Sequence, residues 1–339
     1  MKNRIAKLVD ISKIDIFEED LPSLNDGEIL VQIKSCGICG SDLHFFRHGG
    51  LGSFKEKLPM YMGHEPSGII VDSNKSKVLS DHDRVAIEPG CSCVECYWCK
   101  KDKENLCSNG TFMGAGHQGA FADYVVVRED QLIKIPDTMS YETAALMEPL
   151  GVALHSTNLL AAKRTDTACI FGAGCIGISL IYVLQRLGVT DILAHDPLEY
   201  RSNNVKKYGV VSEFDESVFL QTVKEKTNGF GGTLVFDAAG TDKSLNGCIV
   251  SGSVTSKLAM IGIPEQDYIS LNPHKMRTKE MTLQNVRRSN RTLDDCIELF
   301  KDHSVDEMVS HRYDLDNIQE AFEVSSQYND NVIKCMINS

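Results

Sequence analysis

Residues 168–177 read Ala168-Cys169-Ile170-Phe171-Gly172-Ala173-Gly174-Cys175-Ile176-Gly177. A short apolar run meets glycines spaced G-x-G-x-x-G, and the apolar pattern from Ile176 to Leu187 has the period of a helix. Strand, turn and helix in that order form a phosphate-binding corner. Gly172 permits the tight turn, Gly174 lets the backbone approach a pyrophosphate, and Gly177 lets helix and strand pack closely, with the phosphates at the positive end of the helix.

Working outward, Ile192-Leu193-Ala194 makes the next strand, and Asp196 closes it 24 residues after Gly172. A carboxylate there accepts hydrogen bonds from an adenosine ribose and repels a 2′-phosphate, which favours NAD over NADP. The competing account is a structural glycine turn with an acidic residue nearby by chance. Arg201 either covers the adenosine or is a solvated surface charge. Leu234-Val235-Phe236 and Leu258-Ala259-Met260-Ile261 continue the alternation. Residues 150–286 are therefore expected to form an α/β domain, a doubly wound parallel sheet covered by helices.

The texture upstream differs. Ile29, Val31 and Ile33 alternate with polar neighbours, and Gly68-Ile69-Ile70-Val71 and Arg84-Val85-Ala86-Ile87 look alike, so residues 1–149 are expected to be strand-rich. Leu293 to Phe300 and Ile318 to Val324 have helical periodicity, and residues 287–339 are assigned back to the first domain. A chain of 339 residues exceeds the size at which one core stops growing, so two domains are expected, with an active site in the cleft between them.

A net charge of −12 would repel a phosphate backbone, which argues against nucleic-acid binding. No stretch approaches the roughly 18 uninterrupted apolar residues of a membrane span. Met1 to Asp10 lacks the apolar block of a secretion signal, and a cytoplasmic protein is expected.

Five of the 12 cysteines fall between Cys91 and Cys107. Reducing conditions argue against disulfides as their purpose. Cys93, Cys96, Cys99 and Cys107 follow C-x2-C-x2-C-x7-C, a spacing that lets four thiolates converge on one tetrahedral zinc. Four thiolates close the coordination sphere, so this would be a structural site stapling a polar loop. Cys91 is spare and could replace Cys93, and a redox switch is the competing account.

Cys36-Gly37-Ile38-Cys39-Gly40-Ser41-Asp42-Leu43-His44 and Gly63-His64-Glu65 supply thiolate, imidazole and carboxylate, the ligand types of a catalytic zinc. Taken alone, Cys36 and Cys39 could be a redox pair and His64 a satisfied core histidine. Together with the cysteine lobe and the nucleotide turn, in this order, they resemble the zinc-containing medium-chain dehydrogenase/reductase family, especially its sorbitol (polyol) dehydrogenase branch. The resemblance covers nearly the whole chain.

It implies a Rossmann domain plus a strand-rich GroES-like catalytic domain with a zinc-bearing lobe at 91–107. It also implies two zinc ions and NAD, and homodimers or homotetramers joined through the nucleotide domain's sheet edge. Cys39, His64 and Glu65 would hold the catalytic zinc, with Glu148 of Met147-Glu148-Pro149-Leu150 binding it directly, binding through water, or touching substrate. Alcohol dehydrogenases of the family carry cysteine there, so Glu148 points to polyols. Cys36 has no ligand role in the family. Asp42 would orient the zinc-bound histidine, and Ser41 and His44 would relay the released proton.

Ile261-Gly262-Ile263 and Val286-Arg287-Arg288 resemble the segments lining the nicotinamide pocket, and Arg288 matches an arginine facing substrate hydroxyls. One of Arg287, Arg288 and Arg291 is expected to recognise an anionic group such as a sugar-alcohol phosphate; equally, the extra two are solvated. Phe45 stands where the branch commonly has a tyrosine that bonds substrate. Asn272-Pro273-His274 is similar to relatives acting on cyclitols. The implied activity is oxidation of a secondary alcohol on a polyol-like substrate. Two rivals are a zinc-free NADPH quinone-reductase-like enzyme and a non-catalytic zinc-binding interaction protein.

Overall fold

In residues 28–37 the side chains of Ile29, Val31, Ile33 and Ser35 turn inward while their neighbours are half-exposed, and this alternation makes the strand on which the first unit is built. The computed structural model describes residues 2–115 and 118–339, so Met1 of the stretch read for a secretion signal lies outside the described residues. The chain divides into two units: one runs through Gly151 and resumes over Asn290–Ser339, and the other is Val152–Ser289.

In the first unit, β1 (Lys2–Asp10) and β2 (Lys13–Asp20) form an antiparallel hairpin. The main sheet holds β3 (Glu28–Gly37), β4 (Glu65–Asp72), β5 (Arg84–Ile87), β6 (Tyr124–Arg128) and β7 (Leu132–Lys134), together with β14 (His311–Asp314) and β15 (Cys335–Asn338) from the tail. Among the described residues its order is β7-β5-β4-β3-β15-β14, with β6 also on β3. The register sets Glu65 opposite Gly37 on one side of β3 and Met336 opposite Gly37 on the other. Helix α1 (Gly40–His48) leaves the end of β3, and α2 (Tyr141–Ala145) and α3 (Met147–Leu160) follow later in the chain. Ile29, Val31, Ile33, Phe46, Ile70 and Phe322 pack into one core.

The second unit is parallel throughout. Its strands are β8 (Thr167–Phe171), β9 (Asp191–His195), β10 (Val211–Glu213), β11 (Gly232–Asp237), β12 (Gly252–Met260) and β13 (Thr282–Asn285). They lie in the order β10-β9-β8-β11-β12-β13, the doubly wound arrangement in which the strand order reverses beside the first strand. The helices are α4 (Cys175–Arg186), α5 (Glu199–Val205), α6 (Glu216–Lys226), α7 (Asp242–Ser251) and α8 (Pro273–Lys279). Phe171, Leu193, Phe219, Val235, Leu245 and Leu258 form a core here, because buried parallel strands must be apolar on both faces. Asn272 begins α8 by accepting from the Lys275 N–H at 3.1 Å, and Pro273 takes the first helical position, which requires no N–H.

The tail adds helices α9 (Leu293–Phe300) and α10 (Ile318–Gln327) to the first unit. Among the described residues, no helix is long and apolar enough to cross a membrane.

The turn after β8 shows why its glycines are needed. Gly172 has φ +102°, and a Cβ at Gly177 would overlap the Gly172 carbonyl oxygen. Replacing Gly177 with alanine is expected to cost about 1–3 kcal/mol through overpacking. Urea unfolding followed by far-UV circular dichroism should show the shift, and an unchanged midpoint would mean that the turn has slack.

Candidate catalytic metal site

Cys39 precedes α1 with an extended backbone, and His64 and Glu65 stand at the start of β4. Pairing of β3 with β4 brings them together: one ligand atom from each of Cys39, His64 and Glu65 lies within 4.8 Å of the other two. His64 and Glu65 are buried. Asp42 faces this group, its carboxylate accepting from the Cys39 N–H at 3.0 Å and lying 3.5 Å from His64 Nδ1. That contact engages Nδ1 and leaves Nε2 for an electrophile; Ser41 Oγ lies 3.5 Å from Nε2. Burial pulls the pKa of His64 down, but Asp42 and Cys39 push it up more strongly, to well above the usual histidine value.

Glu65 has a partner that is not legible from the motif. Lys334, just before β15, forms a fully buried ion pair with Glu65 and donates to the Ile38 carbonyl at 2.9 Å. Gly37 makes room for it, because a Cβ there would overlap the Glu65 carboxylate and come within 2.7 Å of Lys334 Cε. The only sequence signal is a lysine inside the apolar run Val332-Ile333-Lys334-Cys335-Met336-Ile337. A charge in a buried strand must be paired.

Glu148 stands in the first turn of α3 and is buried. Burial and then the charge of Glu65 push its pKa up to about 8, with Glu88 adding in the same direction. Glu148 is outside the group of three within 4.8 Å of one another, yet near enough to feel the charges of Glu65 and His64. A pocket gathering a thiol, a histidine and several carboxyls suits a dication. Ser41 and His44 lie half-buried on α1, whereas Phe45 points into the core and packs edge-on against Phe54 at 6.5 Å.

The cysteine lobe forms a second cluster. Cys93, Cys96, Cys99 and Cys107 lie within 4.8 Å of one another, with Sγ–Sγ distances of 3.5 Å for Cys96–Cys99 and 3.4 Å for Cys93–Cys107. Cys91 is outside this group and pairs with Thr111 in a short antiparallel ladder. Backbone N–H groups of Cys99 and Ser108 draw the Cys96 thiol down to about 5, toward the thiolate that binds metal. Cys36 is fully buried beside β4.

In the second unit, Asp196 is buried, and its two oxygens accept from the N–H groups of Ala173 at 2.8 Å and Leu198 at 2.9 Å. Its carboxylate is thereby fixed against the glycine turn. Gly174 and Ile176 are half-buried, and a Cβ at Gly174 would come within 3.3 Å of the Arg201 guanidinium, so Arg201 lies over the turn. Ile261 and Gly262 both donate backbone N–H groups at 2.9 Å to the main-chain oxygen of Asp237, while Asp237 Oδ1 accepts from Ala239 and Gly240. Asp237 was not legible as a positioning residue. Ile263 and Arg287 are exposed, and Val286 and Arg288 half-buried. Arg291 binds Glu104 at 2.9 Å and the Asp130 carbonyl at 2.7 Å, so it is engaged inside the first unit.

Comparison with known proteins agrees with this build. Residues 25–137 match the alcohol dehydrogenase GroES-like domain family. The sorbitol dehydrogenase of Bacillus subtilis (strain 168) is 31% identical over 98% of this chain and 96% of its own length. The D-xylulose reductase of Saccharomyces cerevisiae is 31% identical over 96% and 94%. The crystal structure of an Escherichia coli oxidoreductase/dehydrogenase of unknown specificity, involved in membrane biogenesis, superposes with a TM-score of 0.93 at 30% identity, covering 100% of this chain and 99% of that one. The two units and their clusters are thus those of a medium-chain dehydrogenase. The chain belongs to the polyol (sorbitol) dehydrogenase branch of the zinc-containing medium-chain dehydrogenase/reductase family.

Two outcomes follow from the buried charges. Lys334→Met leaves Glu65 without its cation and should destabilise the chelator-treated protein by about 3–5 kcal/mol in urea titration, and less so with zinc present. Glu148, raised from 4.5 to about 8, holds a proton in the folded metal-free chain that the unfolded chain has lost. The contribution of Glu148 to the stability of that form should be full below about 4.5 and be lost as pH rises toward 8, and Glu148→Gln should flatten the slope across that window.

Proposed function

We propose that this protein is a zinc-dependent, NAD-linked dehydrogenase that oxidises a secondary hydroxyl of a polyol-like substrate to a ketone. The observation that carries the reading is that a sulfur, an imidazole and a carboxylate, from Cys39, His64 and Glu65, lie within 4.8 Å of one another, three donors that on a tetrahedral zinc would leave one position for substrate. The names of the relatives, a sorbitol dehydrogenase and a xylulose reductase, support a polyol–ketose pair. Residues 1–149 and 287–339 form the catalytic domain and 150–286 the NAD-binding domain in this reading. The family resemblance supports a homodimer or homotetramer.

Cys39, His64 and Glu65 hold the catalytic zinc, and Cys93, Cys96, Cys99 and Cys107 hold the structural one. When bound, zinc supplies Lewis acidity toward a substrate hydroxyl and NAD accepts the hydride. Asp42 fixes the tautomer and direction of His64. Lys334 balances the charge of Glu65 and holds one of its oxygens. Ser41 and His44 carry the released proton outward from the site. Glu148, buried near Glu65 and His64, is placed to accept from a second substrate hydroxyl or to serve as a further metal ligand, since a dication beside it would favour its ionised form. Asp196 accepts from the adenosine ribose, beside Arg201, and Gly172, Gly174, Ile176 and Gly177 cradle the pyrophosphate. Ile261, Gly262, Ile263, Val286 and Arg287 border the nicotinamide. Arg288 and Phe45 face substrate in the family resemblance; the buried ring of Phe45 supports only a packing role here.

NADH formation should be screened across linear polyols, their phosphates, cyclitols and 1,2-diols. A polyol is expected to be oxidised with NAD in preference to NADP, and Cys39→Ser should abolish the reaction without altering the circular dichroism. Wild-type rates in Cys39→Ser, or turnover confined to NADPH and quinones, would replace this reading with a zinc-free one. Faster turnover of phosphates than of free polyols would assign an anion-binding role to Arg287 or Arg288.

A further inference from the structure

The loop between Cys99 and Cys107 is held from outside, and the contacts converge on the residues where the chain re-enters the first unit. The second unit ends at Ser289. Asn290 Nδ2 donates to the Asp102 carbonyl at 2.8 Å, and its Oδ1 accepts from the Asn105 N–H at 3.3 Å. Arg291 Nε donates to the Glu104 carboxylate at 2.9 Å, Nη1 to the Asp130 carbonyl at 2.7 Å, and Nη2 lies 3.3 Å from the Asp130 carboxylate. Thr292 Oγ1 donates at 2.8 Å to the carbonyl of Gly151, the residue from which the chain leaves the unit.

The same carboxylates reach back into the lobe. Glu104 accepts from the Ser92 hydroxyl, and Arg128 pairs with Asp130 while donating to the Ser92 carbonyl at 2.9 Å. Arg291 therefore spends its donors inside the first unit. A second observation concerns the backbone. Arg288 and Arg291 have φ of +57° and +55°, a left-handed conformation that side chains other than glycine keep only where their surroundings hold it.

We propose that Asn290 and Arg291 are positioning residues for the four-thiolate metal site, and that metal at that site in turn locks the 288–292 crossing. The inference rests on the reading of Cys93, Cys96, Cys99 and Cys107 as a zinc site. Residues 100–103 are exposed and 104–107 half-buried, so little apolar burial orders the span that carries Cys107 to the other three thiols. Fixing Asp102, Glu104 and Asn105 through side-chain clamps removes chain entropy that metal binding would otherwise have to overcome. By the same linkage, an emptied site frees the loop and releases the clamps.

The test uses the full-length chain in a Cys39→Ser background, so that zinc captured by a colorimetric chelator comes from the four thiolates alone. Arg291→Ala and Asn290→Ala are expected to release zinc about tenfold faster, the scale at which partners behind metal ligands act, and Arg291→Lys, which keeps the charge but not the fork, to fall between. Hydrogen exchange of the amides at 287–292 should quicken once zinc is removed from the parent chain. Release rates and exchange that do not change would overturn the proposal. If Arg291→Ala does not fold, Asn290→Ala and Arg291→Lys decide. A parent chain holding no zinc would overturn the reading of the lobe as well, whereas a normal zinc content with unaltered release overturns the clamp alone.

Discussion

A carboxylate taken out of water must find a cation, and in this protein the requirement falls on Glu65. Lys334 satisfies it from the opposite end of the chain, a contact spanning 269 residues. The pairing is possible because β3 is the shared neighbour of β4 and β15: one brings Glu65 to Gly37 and the other brings the lysine to the same place. Gly37 is the necessary gap between them. The antiparallel sheet therefore builds the floor of the candidate metal site, and the thiol and imidazole complete it from the first residues beyond β3 and just before β4.

Around that floor the charges are arranged with little slack. Asp42 links the cap of α1 to His64, so the geometry of a helix start also sets the direction of that imidazole. Glu148 is buried and close to Glu65, and burial first and then the charge of Glu65 hold its proton to about 8 in the metal-free chain. Such a cluster is poorly satisfied without a cation and well satisfied with one. The cysteine lobe has a different logic. Its loop is polar and partly exposed, its thiols are near one another, and its outer contacts are the side chains of Asn290 and Arg291 rather than an apolar core.

Much of this was legible from local pattern. The glycine turn was readable because each glycine answers a local steric demand, visible in the positive φ of Gly172 and in the contact that Gly177 permits. The strand at 28–37 was readable from the alternation of Ile29, Val31 and Ile33, and those at 65–72 and 84–87 from the runs 68–71 and 84–87. The four cysteines were readable because ligand spacing on a short loop is itself a local constraint, and the structure also leaves Cys91 out of the set. The hairpin of β1 and β2 was not anticipated, since exposed Ile16 and Phe17 blur the alternation of its second strand. Arg291 illustrates the limit: beside Arg287 and Arg288 it reads as part of a basic set, yet its partners lie 161 and 187 residues away in sequence.

Sequence alone therefore determined the fold class, the glycine turn and the chemical types of the candidate metal donors, because these depend on residues within a few turns or strands of one another. Tertiary structure alone decided which of them meet. Lys334 belongs with Glu65, Asp237 holds the 261–262 backbone, and Arg291 is committed to the cysteine lobe. Each of these rests on hydrogen bonds between distant segments, whose register is set by sheet pairing and by the need to pair every buried charge, and no local pattern encodes that register.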